Sequence, residues 1–261
     1  MNYDLREISG NLEMQELAAL ERTIWNSDHV PTELYRAMQD EGALLAGAFT
    51  TDNILVAFVF GFPTATPGVQ HSHSLGVLLE HRAAGLGARL KWFQRDWCLA
   101  KSIHTVRWTY DPLRVPNAKL NIAKLGATAS SYLENYYGTL AGINAGAPSD
   151  RVMAQWVLND PRVKARHLEQ ATSLPNAPEI NTVHGEQPDK INLELTAPYL
   201  KMRLPGDYSS ILSENPALAL AWRLHGREIL QAYFAKGYRI AEFTLEGGAG
   251  YLLEKNPQTL P

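Results

Sequence analysis

Apolar residues recur near helical spacing at Leu12, Leu17, Leu20 and Ile24, which predicts a helix over Leu12–Trp25. Pro31 suits a first helical position, and Thr32–Gln39 continues a second helix until Gly42 stops it. Ala43–Thr50 and Ile54–Pro63 are apolar and partly β-branched or aromatic, with Thr51, Asp52 and Asn53 between them, a pattern that predicts an antiparallel hairpin. Val69–Leu79 reads as the next strand and runs through His81–Gly87 into a helix from Ala88 to about Ala100. In Thr105–Tyr110, Val106 and Trp108 alternate with polar residues, so a strand parallel to the one before the helix is expected. Pro116 begins a helix carrying Ala118, Leu120, Ile122 and Leu125, which ends at Gly126; Thr128–Tyr132 then returns to the sheet.

A first domain of residues 1–150 is expected on this pattern, and 151–261 forms a C-terminal α/β extension. Asp160–Asp189 is polar, dotted with proline and without periodicity, so it reads as a connector. Ile191–Leu204 holds strand-like segments broken by Pro198. Asn215 and Pro216 then open a long helix in cap-then-proline order, carrying Leu220, Leu224, Ile229, Leu230 and Phe234 before Gly237. Tyr238–Leu245 and Tyr251–Leu253 predict a terminal hairpin. The extension is either a degenerate second copy of the first domain or a continuation of its sheet. With no second glycine phosphate loop, at most one anionic cofactor is expected per chain.

Composition narrows the function. With 261 residues, 45% of them hydrophobic, the chain can bury one large core or two modest ones. A formal net charge of −3 argues against wholesale binding to nucleic acid or an anionic membrane, so any phosphate site must be local. Cys98 is the only cysteine, which rules out an intramolecular disulfide and leaves a metal site only His and carboxylates; no metal is expected. Met1–Glu7 is polar, and no run of about 18 apolar residues occurs, so neither a signal peptide nor a membrane span is read and a cytoplasmic protein is expected.

The most informative stretch follows the strand that ends Leu75-Gly76-Val77-Leu78-Leu79: Arg82-x-x-Gly85-x-Gly87-Ala88, entering a helix. Glycines at such a junction let phosphate approach converging backbone N–H groups, and the helix dipole adds about half a positive charge there. A Rossmann reading fails, because Arg82 stands where that motif needs glycine and no acidic residue closes a second strand about 20 residues later. The segment resembles the Arg/Gln-x-x-Gly-x-Gly/Ala signature of the GNAT (Gcn5-related N-acetyltransferase) superfamily. The order of elements around it and the later Lys124-Leu125-Gly126-Ala127 are similar too.

The resemblance implies an α/β (α+β) fold with a mixed, mostly antiparallel sheet whose central parallel strands splay apart. It implies that backbone groups of Val77, Leu78 and Leu79 meet the pantetheine arm of acetyl-coenzyme A or another acyl-coenzyme A. The loop Arg82, Ala84, Gly85, Leu86, Gly87 and Ala88 would then hold the pyrophosphate. The Leu78 N–H becomes a candidate oxyanion donor, a group worth roughly 3 kcal/mol elsewhere.

An attacking amine needs a base, and the strand offers His71, Ser72, His73 and Ser74 where the superfamily often has a carboxylate. Strand alternation places His71, His73, Leu75 and Val77 on one face and Ser72, Ser74 and Gly76 on the other, so either a His pair or a Ser pair faces substrate; His73 is the first choice for the base. Many superfamily members use a Tyr as general acid where this chain has Asn121, whose amide can hydrogen-bond a thiolate but cannot protonate it. Tyr110, Tyr136 and Tyr137 are substitutes. Asn117 and Asn121, four residues apart, both reach the cofactor or simply cap and solvate their helix.

Asp111 and Arg114 follow the second splayed strand, and Arg151 ends the loop that begins at Asn144; these are candidate substrate binders, with the arginines suited to a carboxylate. The stretches His71–Val77, Trp108–Leu113, Asn117–Ala127 and Asn144–Arg151 resemble a long-chain bacterial GNAT subgroup that includes amino-acid N-succinyltransferases. The expected activity is transfer of an acetyl or succinyl group to the amine of a small molecule such as an amino acid. An acyl-coenzyme A-binding module without turnover and a protein-modifying acyltransferase are the alternatives. The C-terminal half would shape the acceptor pocket or a homodimer interface.

Overall fold

The computed structural model describes residues 2–26, 30–138, 147–170 and 173–255, which divide into two compact units. Residues 2–26, 30–108 and 157–160 are the described part of the first. Its strands lie in the order β1 (Asp4–Glu7), β2 (Leu44–Phe49), β3 (Leu55–Pro63), β4 (Val69–Val77) and β5 (Thr105–Tyr110), of which residues 109 and 110 belong to the second unit. Successive strands pair antiparallel except β4 and β5, which run parallel. A parallel pair needs a crossover, and α3 (Leu86–Ala100) supplies it, entered through a 3₁₀ turn over Leu79–Ala84.

Helices cover both faces of this sheet, which is why β2 and β3 read as continuous apolar runs. Helices α1 (Gly10–Trp25) and α2 (Thr32–Asp40) contribute Met14, Leu17 and Tyr35 to one core layer with Leu45, Phe58 and Phe60. On the other face Leu86 and Leu90 of α3 pack with Leu44, Ala46, Val56 and Val59. The first helix, the second helix and the hairpin match their sequence patterns within a few residues.

In the second unit the described residues are 109–138, 147–156, 161–170 and 173–255. Its strands are β6 (Thr128–Leu133), β7 (Arg151–Val157, less its last residue), β8 (Asn181–His184), β9 (Gln187–Ile191), β10 (Tyr199–Arg203), β11 (Tyr238–Thr244) and β12 (Gly250–Lys255). Five of them form an antiparallel sheet in the order β7-β6-β11-β12-β10, and β8 pairs with β9 in a separate hairpin. The helices are α4 (Val115–Ala118), α5 (Pro161–His167), α6 (Tyr208–Glu214) and α7 (Pro216–Ala235). Asn215 caps α7 as expected, accepting the Leu218 N–H at 3.1 Å.

Two local expectations are corrected, and one helix is added. The helix from Pro116 to Gly126 is a single α turn followed by a π-helical turn over Lys119–Lys124, in which Leu125 N–H reaches back five residues to the Leu120 carbonyl at 3.0 Å. The connector over Asp160–Asp189 carries α5, started by Pro161, and the β8/β9 hairpin, turned at Gly185 with φ 60°. Helix α6 escaped notice because it is only seven residues long; Asp207 caps it through the N–H groups of Ser209 and Ser210. Among the described residues no helix is long and apolar enough to cross a membrane.

Candidate active site

The glycine loop is built by a sharp change of backbone direction. After the 3₁₀ turn, Gly85 adopts φ 66°, the left-handed region a side chain disfavours, and nothing lies within 4 Å of where its Cβ would stand. Helix α3 starts at once and has no side-chain cap. Its ladder begins with Ala88 and Arg89 N–H groups donating to the Gly85 carbonyl at 3.1 and 3.2 Å, which commits Ala88 to the turn. Leu86 and Gly87 N–H lie in the first turn, where a helix offers no internal partner. No acidic residue sits in that turn, and the exposed cations Arg82 and Arg89 flank it, with Ala84 exposed beside them. Open space, free first-turn donors and local positive charge together suit a phosphate.

Strand β4 leads into this loop with its backbone groups already divided between two sides. Leu78 N–H donates to the Val56 carbonyl at 3.0 Å, so it faces β3 and is not a free oxyanion donor, contrary to the sequence reading. By antiparallel alternation Val77, opposite Ala57, turns its N–H and carbonyl away from β3. Its carbonyl accepts from Arg82 Nε at 3.4 Å, and exposed Leu79 opens the 3₁₀ turn.

A β-bulge overturns the expected alternation along β4. Ser74 stands opposite Phe60 and Ser72 opposite Gly61, which leaves His73 as the extra residue. His71 and His73 therefore lie with Phe60 and Phe62, the α1/α2 side, whereas Leu75 and Val77 pack on the α3 side. His71 stacks on Phe62 at 5.0 Å and its pKa is lowered to about 4, by burial first and then by the charges of His73, Arg107 and Lys91. His73 has an exposed surface, but its ring lies 5.8 and 5.9 Å from Phe60 and Phe62, and the loss of water around it lowers its pKa too. Both imidazoles are thus neutral near pH 7, and His71 is the weaker base.

Ser72 points the other way, into a buried polar cluster. Lys91 Nζ donates to Ser72 Oγ at 3.1 Å and to Gln94 Oε1 at 2.7 Å, and lies 3.8 Å from the centroid of the Trp108 ring. Gln94 in turn donates to Gln70 Oε1, which also accepts from Cys98. Burial pushes the Lys91 pKa down to about 7. The sequence reading passed over Lys91. Its one available signal was helical spacing, because Lys91, Gln94 and Cys98 share the buried stripe of α3 with Leu90.

In the second unit Asp111, Arg114 and Arg151 do come together, joined by Arg223 of α7, Ser149 and Leu212 around a small cleft. Arg223 grips Asp111 with two bonds of 2.8 and 2.7 Å, and Arg114 Nε is 3.8 Å from the same carboxylate. Burial raises the Asp111 pKa, but the charge and hydrogen bonds of Arg223 outweigh it and hold the group below its ordinary value. Asp111 is therefore fully occupied in fixing Arg223, which corrects its reading as a substrate contact. Arg151 lies 5.4 Å over the Tyr137 ring and donates to the Asp150 carbonyl. Burial, the largest influence, lowers its pKa; the Asp111 charge opposes this, and the charges of Arg223 and Arg114 add to it. Three guanidiniums and one carboxylate line this cleft. The loop segment 144–146 lies outside the described residues.

Asn121 is buried in the π-helical turn, and its carbonyl accepts the Ala127 N–H at 3.0 Å; Asn117 is half-buried. Of the tyrosines, Tyr110 is buried with its pKa raised by that burial, while Tyr136 and Tyr137 are exposed. Tyr137 Oη shares a 2.8 Å hydrogen bond with Thr109.

No protein-family model matches the sequence, and no curated protein does. Solved structures do. The ribosomal-protein-S18-alanine N-acetyltransferase from Escherichia coli superposes with a TM-score of 0.50 at 14% identity, covering 61% of this chain and 96% of its own. The chain has a GNAT-type fold. A candidate acetyltransferase from Acinetobacter baylyi ADP1 gives a TM-score of 0.51 at 17% identity over 61% of this chain and 94% of its own. A candidate phosphinothricin N-acetyltransferase gives 0.50 at 13% identity over 61% and 100%. The mixed, mostly antiparallel strands and the parallel β4/β5 pair are the GNAT features expected from the sequence.

Proposed function

We propose that the chain is an acyl-coenzyme A-dependent N-acyltransferase that moves an acetyl or succinyl group to the amine of a small, carboxylate-bearing acceptor such as an amino acid. The observation that carries this reading is the uncapped N-terminus of α3 behind Gly85, flanked by Arg82 and Arg89 and set at the end of β4 in a GNAT-type fold. In this reading the first-turn N–H groups of Leu86 and Gly87 and the Arg82 side chain hold the pyrophosphate. Val77 and Leu79 then offer the backbone groups that pair with the pantetheine arm.

The chemistry is one displacement. The neutral amine attacks the thioester carbonyl, an amide bond forms, the carbon–sulfur bond breaks, and coenzyme A leaves as a thiolate. His73 accepts the proton the amine loses; it is exposed, whereas half-buried His71 is too weak a base at about 4. Asn121 cannot protonate the thiolate, so that proton comes from water or from a tyrosine. Arg114 and Arg151 bind the acceptor's carboxylate, with Arg223 held in place by Asp111. The same Asn121 favours a second reading, a module that binds acyl-coenzyme A without turning it over.

The test is free-thiol release from acetyl- and succinyl-coenzyme A against a panel of amino acids and simple amines, with calorimetric coenzyme A binding alongside. Acceptor-dependent release is the expected result. Tight binding without release for any acceptor supports the second reading, and no binding at all overturns both.

A further inference from the structure

Lys91 sits at the one place in the first unit where two parallel strands stop pairing. Among the described residues the cross-strand partners of β4 and β5 run Val69 with Thr105, Gln70 with Val106 and His71 with Arg107. The next two residues in register are Ser72 and Trp108. Lys91 Nζ touches both, at 3.1 Å from Ser72 Oγ and 3.8 Å from the ring centroid of Trp108. One ammonium on α3 therefore bridges both strands a single residue beyond their last pair. A third contact, 2.7 Å to Gln94 Oε1, holds the ammonium from its own helix, and Gln94 is itself fixed by Gln70 at 2.7 Å.

The arrangement is costly, and that makes it informative. Lys91 is 2% exposed, and taking an ammonium out of water costs several kcal/mol unless its donors are met. None of these three partners is a carboxylate; they are a hydroxyl, an amide oxygen and a π-face. Methionine would fill much of this space without the penalty of burying a charge, but would leave Ser72 and Gln94 without this donor. A charged head is useful here because it demands partners from both strands at defined distances, which an apolar side chain does not. It ties Ser72 and Trp108 to one common atom, at 3.1 Å and 3.8 Å.

We propose that Lys91 is a positioning residue: by tying Ser72 of β4 and Trp108 of β5 to one ammonium, it sets the opening between these strands into which the acyl-pantetheine arm threads. The proposal rests on the acyl-coenzyme A reading and deepens it. The opening serves the arm, while the glycine loop serves the phosphates, so the two parts of the cofactor separate the two claims.

Calorimetry compares acetyl-coenzyme A with the adenosine-phosphate portion of coenzyme A lacking the pantetheine arm. Lys91→Met is expected to weaken acetyl-coenzyme A by about tenfold or more while leaving the fragment within about twofold of wild type. Lys91→Arg, which keeps a cation between the strands, is expected to recover part of the loss. Should Lys91→Met not fold, Ser72→Ala removes the β4 tether alone and is expected to show the same selective loss in smaller degree. Equal losses for both ligands, or none, overturn the role of Lys91 while the glycine loop stands. Wild-type protein that binds neither ligand overturns the acyl-coenzyme A reading and this proposal with it.

Discussion

Arg223 and Asp111, 112 residues apart in sequence, close a bidentate ion pair of 2.8 and 2.7 Å with the arginine 2% and the aspartate 8% exposed. Both carboxylate oxygens are taken, and Oδ1 also accepts the Leu113 N–H at 3.0 Å, so the turn after β5 is fixed to α7. A buried pair of this kind is expensive to break one-sidedly, because the remaining charge is stranded; the cost is typically about 3–5 kcal/mol.

Arg223→Met and Asp111→Asn are each expected to lower unfolding free energy by a few kcal/mol, and the double variant is expected to recover much of that loss. Urea unfolding of the four proteins measures the coupling; strict additivity would count against the pair. The sign with pH follows from Asp111. Its folded pKa is depressed below 3.8, so its contribution is present above the ordinary carboxylate range and is lost as pH falls through the lower folded value.

The glycine loop gives a second pair of expectations. Gly87→Glu places negative charge in the first turn of α3, where the pyrophosphate is assigned, and is expected to abolish coenzyme A binding while the thermal midpoint stays close to wild type. Gly85→Ala has open space for its methyl but must hold φ 66°, a strain of roughly 1–2 kcal/mol, so it is expected to cost stability more than affinity. Calorimetry and thermal unfolding separate the two. Normal binding by Gly87→Glu removes the loop from the cofactor site.

What the sequence disclosed and what it hid divide along the range of the interactions. The hairpin at Thr51–Asn53, the cap at Asn215 and the loop before α3 were legible because turn chemistry and capping act within a few residues. The bulge at His73 was not, since it exists only in the register of Ser72 and Ser74 against Gly61 and Phe60. Alternation alone put His71 and Leu75 on one face, and the extra residue separates them. Leu78 N–H was misassigned for the same reason: only the ladder to Val56 reveals which side it faces. Asp111 and Arg114 were found as charges near a strand end. Arg223, which takes up Asp111, lies in a helix whose pattern shows only an amphipathic stripe.

The arginine cleft makes a prediction about acceptors. If Arg114 and Arg151 hold a carboxylate, Arg151→Gln is expected to raise KM for amino-acid acceptors by about 10–100-fold, the worth of one charge-assisted hydrogen bond, with kcat changed much less. An amine without a carboxylate is expected to be indifferent to the same change. Parallel losses for both acceptors would show that Arg151 supports the loop rather than the substrate.

One buried and one half-buried base give the first unit a characteristic pH response. Lys91 has its pKa lowered from 10.5 to about 7, and His71 from 6.5 to about 4, in both cases chiefly by burial. Each depressed base leaves the unfolded chain holding more protons between its two pKa values, so stability rises with pH across that window. For His71 the window is about 4 to 6.5, and the contribution disappears as acid drives a proton onto the stacked ring. For Lys91 the window is about 7 to 10.5, and its contribution is lost as pH falls through 7. A single proton sets a limiting slope of about 1.4 kcal/mol per pH unit. Urea unfolding at a series of pH values is therefore expected to show two rising segments, the upper one absent in Lys91→Met and the lower one in His71→Gln. Loss of both segments in one variant would mean that the two sites unfold or titrate as one, and survival of the upper segment in Lys91→Met would place its proton on another group.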